Sequence, residues 1–314
     1  MDAFAGLLDG PRARGAFLLR AIMEPPWSVR VQDQAPLALV AMMTGQAWVV
    51  PDVGTDQRPL QPGDVAIMRG PDPYTLADDQ ATSPQVIIHP GQHCATPQGG
   101  SLSQAMDLGV RTWGNSASGS TTMLIGTYQM LGEISQRLLA ALPAVVVLPA
   151  DAWDSPLMAL LGEEIVKDEP GQEVVLDRLL DLLLVAVLRA WFSRPEAHAP
   201  AWYRAHSDPV VGRALRMLHN NPARPWTVAT LAAATGVSRA ALARRFTELV
   251  GEPPMTFLAD WRLALAADLL RGSDATLGAV ARQVGYGSSF ALSTAFKRVH
   301  GISPQQHRLG ASAG

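Results

Sequence analysis

A short pattern that occurs twice in the last third of the chain limits what this region can fold into. The two segments are TVATLAAATGVSRAALARRFTELV at 227–250 and TLGAVARQVGYGSSFALSTAFKRV at 276–299. In both, an alanine lies four positions before a glycine, as Ala232 does before Gly236. Two helices that cross steeply need a small residue where they approach, a glycine in the turn and an apolar anchor in the second helix. The repetition therefore predicts two helix-turn-helix units.

Each unit also carries residues that begin and anchor its helices. In the first unit, Thr227 and Ser238 are predicted N-caps, because a hydroxyl can accept a hydrogen bond from a free N–H group of the first turn. In the second unit, Ser288 or Ser289 is the predicted cap of the second helix. The anchors that recur on one face are Leu242, Phe246 and Leu249 in the first unit and Leu292, Phe296 and Val299 in the second.

A long helix is predicted between the two units, over 254–271. Pro254 suits a first helical turn, and Phe257, Trp261 and Leu265 recur at four-residue spacing. Consecutive major-groove faces lie about 34 Å apart along one side of B-DNA. A rigid helix that fixes the distance between the units suits that geometry.

The charge of the chain is unevenly divided. From Ala201 onward there are thirteen Lys and Arg against six Asp and Glu, a balance of +7, while the first 200 residues carry −10. The 314 residues, 48% of them hydrophobic, are enough for two domains with separate cores. A basic module beside an acidic one suggests a polyanionic partner, and double-stranded promoter DNA fits both the charge and the repeated motif.

Residues 208–308 resemble the DNA-binding domain of the AraC/XylS family of transcriptional regulators. The residues that carry the resemblance are Leu231, Ala232, Gly236, Val237, Ser238, Leu242, Arg244, Phe246, Arg262, Leu263, Ala281, Val284, Gly285, Tyr286, Phe296, Lys297 and the ending GISPQQHR at 301–308. The resemblance covers about a third of the chain. It implies an all-α domain over 208–309 that binds DNA through both units.

Carried over residue by residue, the resemblance assigns four groove-facing positions to the first recognition helix, namely Arg239, Ala240, Ala243 and Arg244. Arg244 is the expected base-contacting residue, since arginine can bond both acceptors of a guanine edge. Arg239 and Arg245 are expected at phosphates.

The corresponding positions of the second recognition helix are Ser288, Ser289, Phe290, Ala291 and Thr294. Many family members carry arginine where Thr294 stands, so this unit departs from the common pattern. We therefore expect it to contribute little base recognition, or mainly to hold the DNA backbone through Lys297 and Arg298.

The first 148 residues are predicted to form a β-rich sandwich or barrel. The apolar runs Leu37–Met43, Ala47–Val50, Val65–Met68 and Gln85–His89 are separated by Gly, Pro and Asp clusters. The segment 99–120 is rich in Gly and Ser and is predicted as a loop or a weakly ordered insertion, in which Leu102, Met106 and Leu108 could make one helical turn. The region resembles the cupin-type sensor domain of one branch of the same family, through residues 45–50, LQPGDV at 60–65 and LIGTY at 124–128. The resemblance implies a cupin-like barrel that senses a small-molecule effector.

Helical periodicity follows at Met130–Leu142, Ser155–Lys167 and Glu173–Phe192. In the third segment, leucines fill one broad face, which either packs on its own domain or pairs with the same helix of a second copy. The family resemblance favours a dimerisation segment over 149–193. A Pro-rich linker is expected over 194–207. The overall expectation is an α+β multidomain chain, with a cupin-like barrel and helical segment followed by an all-α DNA-binding domain.

The histidines and the cysteine of the first domain raise the question of a metal. His89, His93 and Cys94 have a spacing that could supply three ligands, but an ordinary strand end with a buried thiol is the favoured interpretation. The His-x-His pair of metal-binding cupins is missing, so no cofactor and no enzymatic activity are expected. Whether Cys94 is redox-active stays open. Ile125 stands where some relatives carry a cysteine, which argues against an oxidant sensor.

We therefore predict a sequence-specific, DNA-binding transcriptional regulator, dimeric and cytoplasmic, with an unidentified effector. RNA polymerase is a further expected partner if the regulator activates transcription. The alternatives are a cupin-fold enzyme fused to a DNA-binding module, and a regulator without an effector. The N-terminus resembles no signal peptide, and the most apolar stretch, Leu176–Phe192, contains too many charges to span a membrane.

Overall fold

The computed structural model describes residues 17–53, 57–128, 136, 139–197 and 199–311. These residues belong to two compact units, of which the first contains 17–128 and 139–197 and the second contains 199–311. The predicted helix Met130–Leu142 lies mostly outside the described residues. No helix in the described ranges is long and apolar enough to cross a membrane.

The first unit is built mainly from strands, which form two sheets. The described strands are β1 (Phe17–Met23), β2 (Ser28–Val31), β3 (Leu37–Thr44), β4 (Ala47–Pro51), β5 (Arg58–Leu60), β6 (Val65–Arg69), β7 (Tyr74–Ala77), β8 (Val86–His89), β9 (His93–Ala95), β10 (Asp107–Gly109), β11 (Thr112–Gly114), β12 (Thr121–Tyr128) and β13 (Val145–Leu148). One sheet has the order β10-β11-β1-β12-β3-β6-β13, and the other has the order β5-β4-β7-β2-β8-β9.

The core of this unit lies between the two sheets. Strand side chains alternate between faces, so every second residue of β1, β2 and β12 joins one apolar cluster. All four predicted apolar runs are strands, namely β3, β4, β6 and β8. The turn LQPGDV is closed by Asp64, whose carboxylate accepts hydrogen bonds from the N–H groups of Gln61 at 2.8 Å and Ala150 at 2.9 Å.

The segment 99–120, predicted as a loop, contains two strands instead. β11 pairs in parallel with β1, with Arg20 opposite Thr112, and β10 pairs with β11. Met106 is buried in the core cluster. The strands are short and their pairing partner β1 is about ninety positions away, so neither periodicity nor local turn signals reveal them.

Two α-helices are described in the first unit, α1 (Leu157–Glu164) and α2 (Gln172–Phe192). The leucine face of α2 is buried within this unit, including Leu180, Leu183 and Leu184. The buried hydroxyl of Tyr128 on β12 donates a hydrogen bond to the Leu180 carbonyl oxygen at 2.8 Å. The sequence left two possibilities for the leucine face, and the structure agrees with the first, in which the face packs on its own domain.

The second unit is helical throughout. Its helices are α3 (Ala201–Arg204), α4 (Val211–Asn220), α5 (Val228–Thr235), α6 (Arg239–Val250), α7 (Pro254–Gly272), α8 (Leu277–Val284), α9 (Ser289–His300) and α10 (Pro304–Ala311). The segment expected as a linker, 194–207, contains α3 and two 3₁₀ turns, Pro195–Ala197 and Ala205–Ser207. It is ordered at its end because Ala205 is buried in the core of the helical unit.

The long helix α7 is shared by two cores. Phe257 and Leu258, near its start, pack with α4, α5 and α6. Leu263, Ala267 and other residues of its second half pack with α8 and α9. The predicted connecting helix therefore links two small bundles, each of which contains one helix-turn-helix unit.

Candidate nucleic-acid interface

The first helix-turn-helix unit consists of α5 and α6. Thr227 and Thr230 form a capping box, in which the Thr230 N–H donates to Thr227 Oγ1 at 3.1 Å and the Thr227 N–H donates to Thr230 Oγ1 at 2.9 Å. Gly236 takes the left-handed conformation, φ +77°, and ends α5. Ser238 then accepts a hydrogen bond from the Ala241 N–H and begins α6. The predicted caps and turn glycine therefore have the positions expected of them.

The side of α6 opposite the core is open to solvent. Leu242 and Phe246 point into the core and are fully buried. Arg239, Ala240 and Arg244 are exposed, and Ala243 beside them is half-buried. The Arg244 side chain is 76% exposed, and its Nε lies 3.8 Å from the Glu248 carboxylate one turn further on. We refer to residues 239, 240, 243 and 244 as the α6 recognition face.

Arg245 has a different environment from Arg244. Its Nε and Nη2 donate to the Asp208 carboxylate at 2.9 and 2.6 Å. Burial raises the pKa of Asp208, but hydrogen bonds from the Val211 N–H and from Arg245 outweigh it, so that the pKa lies below its usual range. This pair joins α6 to the beginning of α4, a role that the sequence did not reveal.

The second helix-turn-helix unit consists of α8 and α9 and has the same construction. Thr276 accepts a hydrogen bond from the Ala279 N–H at 3.2 Å. Gly285, with φ +86°, ends α8. Of the two candidate caps, Ser288 is the one used, since its hydroxyl oxygen accepts from the Ala291 N–H at 3.1 Å. Leu292 and Phe296 are the buried anchors, but the prediction was wrong for Val299, which is 51% exposed, as it was for Leu249 of the first helix-turn-helix unit, which is 37% exposed.

The outer side of α9 differs chemically from that of α6. Ser289, Ala291 and Thr294 are exposed, and Phe290 is 80% exposed. The Thr294 hydroxyl donates to the Phe290 carbonyl oxygen at 3.0 Å. Lys297 and Arg298 are exposed further along the helix. We refer to residues 289, 290, 291 and 294 as the α9 recognition face.

The two helix-turn-helix units also meet at the loop formed by residues 221–226, which precedes α5. Arg262 of α7 donates to the carbonyl oxygens of Pro222 at 2.7 Å and Arg224 at 2.8 Å. A Cβ atom on Gly285 would lie only 2.7 Å from the Ala223 Cα. The turn of the second helix-turn-helix unit therefore lies against the loop that precedes the first one. This contact fixes the two helix-turn-helix units relative to each other.

Comparison with known proteins agrees with both parts of this architecture. The cupin family model matches residues 2–193, and a helix-turn-helix domain model matches residues 231–309. A protein of Streptomyces lividans described as an AraC-like transcription regulator is 32% identical over 98% of both chains. The chain is an AraC-like transcriptional regulator. It binds DNA through its C-terminal unit and carries a cupin domain at its N-terminus.

Other similar proteins have comparable names. The HTH-type transcriptional regulator AlkR of Acinetobacter baylyi is 26% identical over 98% of this regulator and 99% of its own length. Among solved structures, the DNA-binding domain of AdpA in complex with a target DNA is 34% identical. It covers 34% of this regulator and 95% of that chain, with a TM-score of 0.32.

The cupin domain of the regulator contains a cavity of about 90 Å³ between its two sheets. Its wall includes alternate residues of β1, β2 and β12, and is mostly apolar. The Trp27 indole N–H, at the start of β2, is buried without a hydrogen-bond partner among the described residues. At the other end of β2, Asp33 accepts a hydrogen bond from Gln92 at 2.9 Å. Burial and the nearby Asp33 charge raise the pKa of Tyr74, so its hydroxyl keeps its proton.

The three candidate metal ligands lie in the β8–β9 hairpin. His89 is opposite His93, and Cys94 pairs with Ile88. Within the described part of the chain, no three His, Cys, Asp or Glu side chains come together as a metal site. Cys94 lines the cavity, where burial raises the pKa of its thiol against the opposing effect of a hydrogen bond with Trp113. The thiol is therefore protonated at neutral pH.

Proposed function

We propose that the regulator places α6 and α9 in successive major grooves of a promoter site. The observation that carries this proposal is that both helices present an uncovered outer face while capped ends and buried anchors hold them on a shared helix, α7. A basic unit of this kind suits the phosphate backbone of duplex DNA.

The roles of individual residues follow from their surroundings. Arg244 is the base-contacting residue of α6, because its exposed guanidinium has one loose ion pair that DNA can replace at little cost. Arg239, Lys297 and Arg298 hold phosphates. Arg245 positions α6 through Asp208 and turns its exposed part to the backbone.

Sequencing of the DNA fragments retained by the regulator would supply its site, and titrations on that site test the roles. Arg244→Ala should lower affinity by about 1–3 kcal/mol and relax specificity at one base pair. Arg216→Ala, which removes another exposed arginine, from α4, is the control and should leave specificity unchanged. Equal specificity in the two variants would remove Arg244 from base recognition.

We also propose that the cupin cavity binds the effector, a compact and mainly apolar molecule. A dry cavity of about 150 Å³ holds benzene, so a cavity of about 90 Å³ favours a smaller ligand. A panel of small ketones, ethers and alcohols should contain compounds that raise the unfolding temperature and change affinity for the site. Ala21→Val, which narrows the cavity, should abolish both effects. Ala38→Val is the control, because Ala38 is equally buried but does not line the cavity.

A homodimer is proposed through the helical segment, but not through the leucine face of α2, which is buried within its own unit. The same helix leaves Val175 44% and Leu182 54% exposed, seven residues apart on one side. Replacing both by glutamate should shift sedimentation towards monomer. Val53→Glu with Val110→Glu alters comparably exposed positions elsewhere in the unit and should not. An unchanged dimer in the first variant would exclude this face.

Three further roles complete the proposal. The regulator acts in the cytoplasm, its cupin domain binds a ligand without catalysing a reaction, and activation, where it occurs, involves contact with RNA polymerase. The apolar wall of the cavity supports ligand binding over catalysis. A regulator whose DNA affinity no panel compound alters would instead support control by abundance or by a protein partner.

A further inference from the structure

Apart from Ser289, the α9 recognition face is apolar where a base-contacting helix commonly carries hydrogen-bond donors. Phe290 stands almost fully in solvent, at 80% exposure, and Ala291 is exposed beside it. Thr294, one turn further on, has its single hydroxyl proton engaged by the Phe290 carbonyl oxygen. These three residues therefore offer a base edge apolar contact and no side-chain proton.

The major groove has one prominent apolar group, the 5-methyl group of thymine. We propose that Phe290 is a specificity-determining residue that packs on thymine methyl groups, so that α9 selects T·A base pairs by apolar contact while α6 selects its bases by hydrogen bonding through Arg244. This inference rests on the proposed placement of α9 in the groove.

Phe290 belongs to the side of α9 that continues into cationic residues. Residues three and four apart lie on one face of a helix, so Phe290 and Thr294 are followed on that side by Lys297 and Arg298, both exposed. An aromatic ring for base methyl groups and two cations for flanking phosphates complement duplex DNA along one line.

Replacement of thymine by deoxyuridine tests the contact directly, because it removes the methyl group and leaves base pairing intact. The α9 half-site is first identified as the part of the selected site whose footprint weakens in the Lys297→Ala, Arg298→Ala double variant. Uracil in this half-site should lower the affinity of the full-length regulator by about fourfold for each contacted methyl group. Phe290→Ala should bind more weakly and lose the sensitivity to uracil, whereas Phe290→Leu should retain part of both.

The controls separate this inference from the proposed function. Uracil in the α6 half-site should have the same effect on the wild type and on Phe290→Ala. If the double variant weakens no part of the footprint, α9 does not enter the groove and the proposed function fails with the inference. If an α9 half-site is found but uracil has no effect there, or Phe290→Ala keeps the wild-type sensitivity, the inference alone is overturned. Reduced transcription by Phe290→Ala with unchanged DNA binding would assign the ring to a protein partner and also overturn it.

Discussion

Replacing Gly285 with alanine should destabilise the DNA-binding unit more than the same change at Gly236. Both glycines end the first helix of a helix-turn-helix unit in the left-handed conformation, at φ +86° and +77°. A Cβ atom on Gly285 would lie 2.7 Å from the Ala223 Cα and 2.9 Å from its carbonyl oxygen, while one on Gly236 would meet nothing within 4 Å. The two positions therefore share a backbone requirement and differ in the space around it.

The expected magnitudes follow from these two contributions. A left-handed conformation costs a non-glycine residue about 1–2 kcal/mol, and this cost applies at both positions. The close contact at Gly285 involves backbone atoms, which cannot move away by a rotamer change, so overpacking adds about 1–3 kcal/mol. We therefore expect Gly236→Ala to lose about 1–2 kcal/mol of unfolding free energy, and Gly285→Ala to lose roughly twice as much.

Urea denaturation of the full-length regulator, followed by far-ultraviolet circular dichroism, measures the difference. Eight of the ten described helices belong to the DNA-binding unit, residues 199–311, so the helical signal reports mainly on that unit. Because the contact at Ala223 joins the two helix-turn-helix units, the Gly285→Ala variant should also bind a DNA that contains both half-sites more weakly than the Gly236→Ala variant does. Equal unfolding midpoints and equal affinities in the two variants would refute the importance of this close approach.

Three further outcomes are expected from single contacts. The pKa of Asp208 is depressed in the folded state, so its ion pair stabilises the fold above the ordinary carboxyl pKa of about 3.9 and is lost as pH falls through the lower folded value. Asp208→Asn should therefore unfold more readily than the wild type at neutral pH in urea titrations, and the difference should vanish in strong acid. Tyr128→Phe, which removes the hydrogen bond to the Leu180 carbonyl oxygen but leaves that oxygen with its helical donor, should cost about 0.5–1.5 kcal/mol in the denaturation of the cupin domain. Thr227→Ala, which removes the cap of α5, should cost about 0.5–2 kcal/mol, and Thr227→Ser should restore most of it in the same assay.

The sequence was most informative where the structure depends on neighbours along the chain. Caps and turn glycines act within a few residues, so Thr227, Gly236 and Ser238 could be assigned from their spacing alone. Pro254 marks the start of α7 for the same reason, since its missing N–H would have no helical partner at that position. The four apolar runs of the cupin domain were also predicted correctly as strands. Strands that contribute much of a buried core are rich in apolar residues, and the sequence shows this directly.

Features that depend on distant partners could not be predicted. The strands within 99–120 are stabilised by pairing with β1, and the leucine face of α2 reveals that it is buried but not by what. The contact of Arg262 with the loop before α5 spans about forty positions. Even the candidate site was only partly predictable, since the family pattern names the positions on α6 and α9 but does not say that Asp208 holds Arg245.

The same distinction explains why two units with one construction need not bind alike. Their shared pattern, a small residue, a turn glycine, a capping serine and two buried anchors, specifies only the inner face of each helix pair. The outer face is free to vary, and here it carries Arg244 on α6 and Phe290 on α9. A guanidinium contact weakens as salt screens it, whereas contact between an aromatic ring and a methyl group does not depend on ionic strength in that way. In the proposed complex, two helices that are equivalent as parts of a fold would therefore give the regulator two physically different means of discrimination.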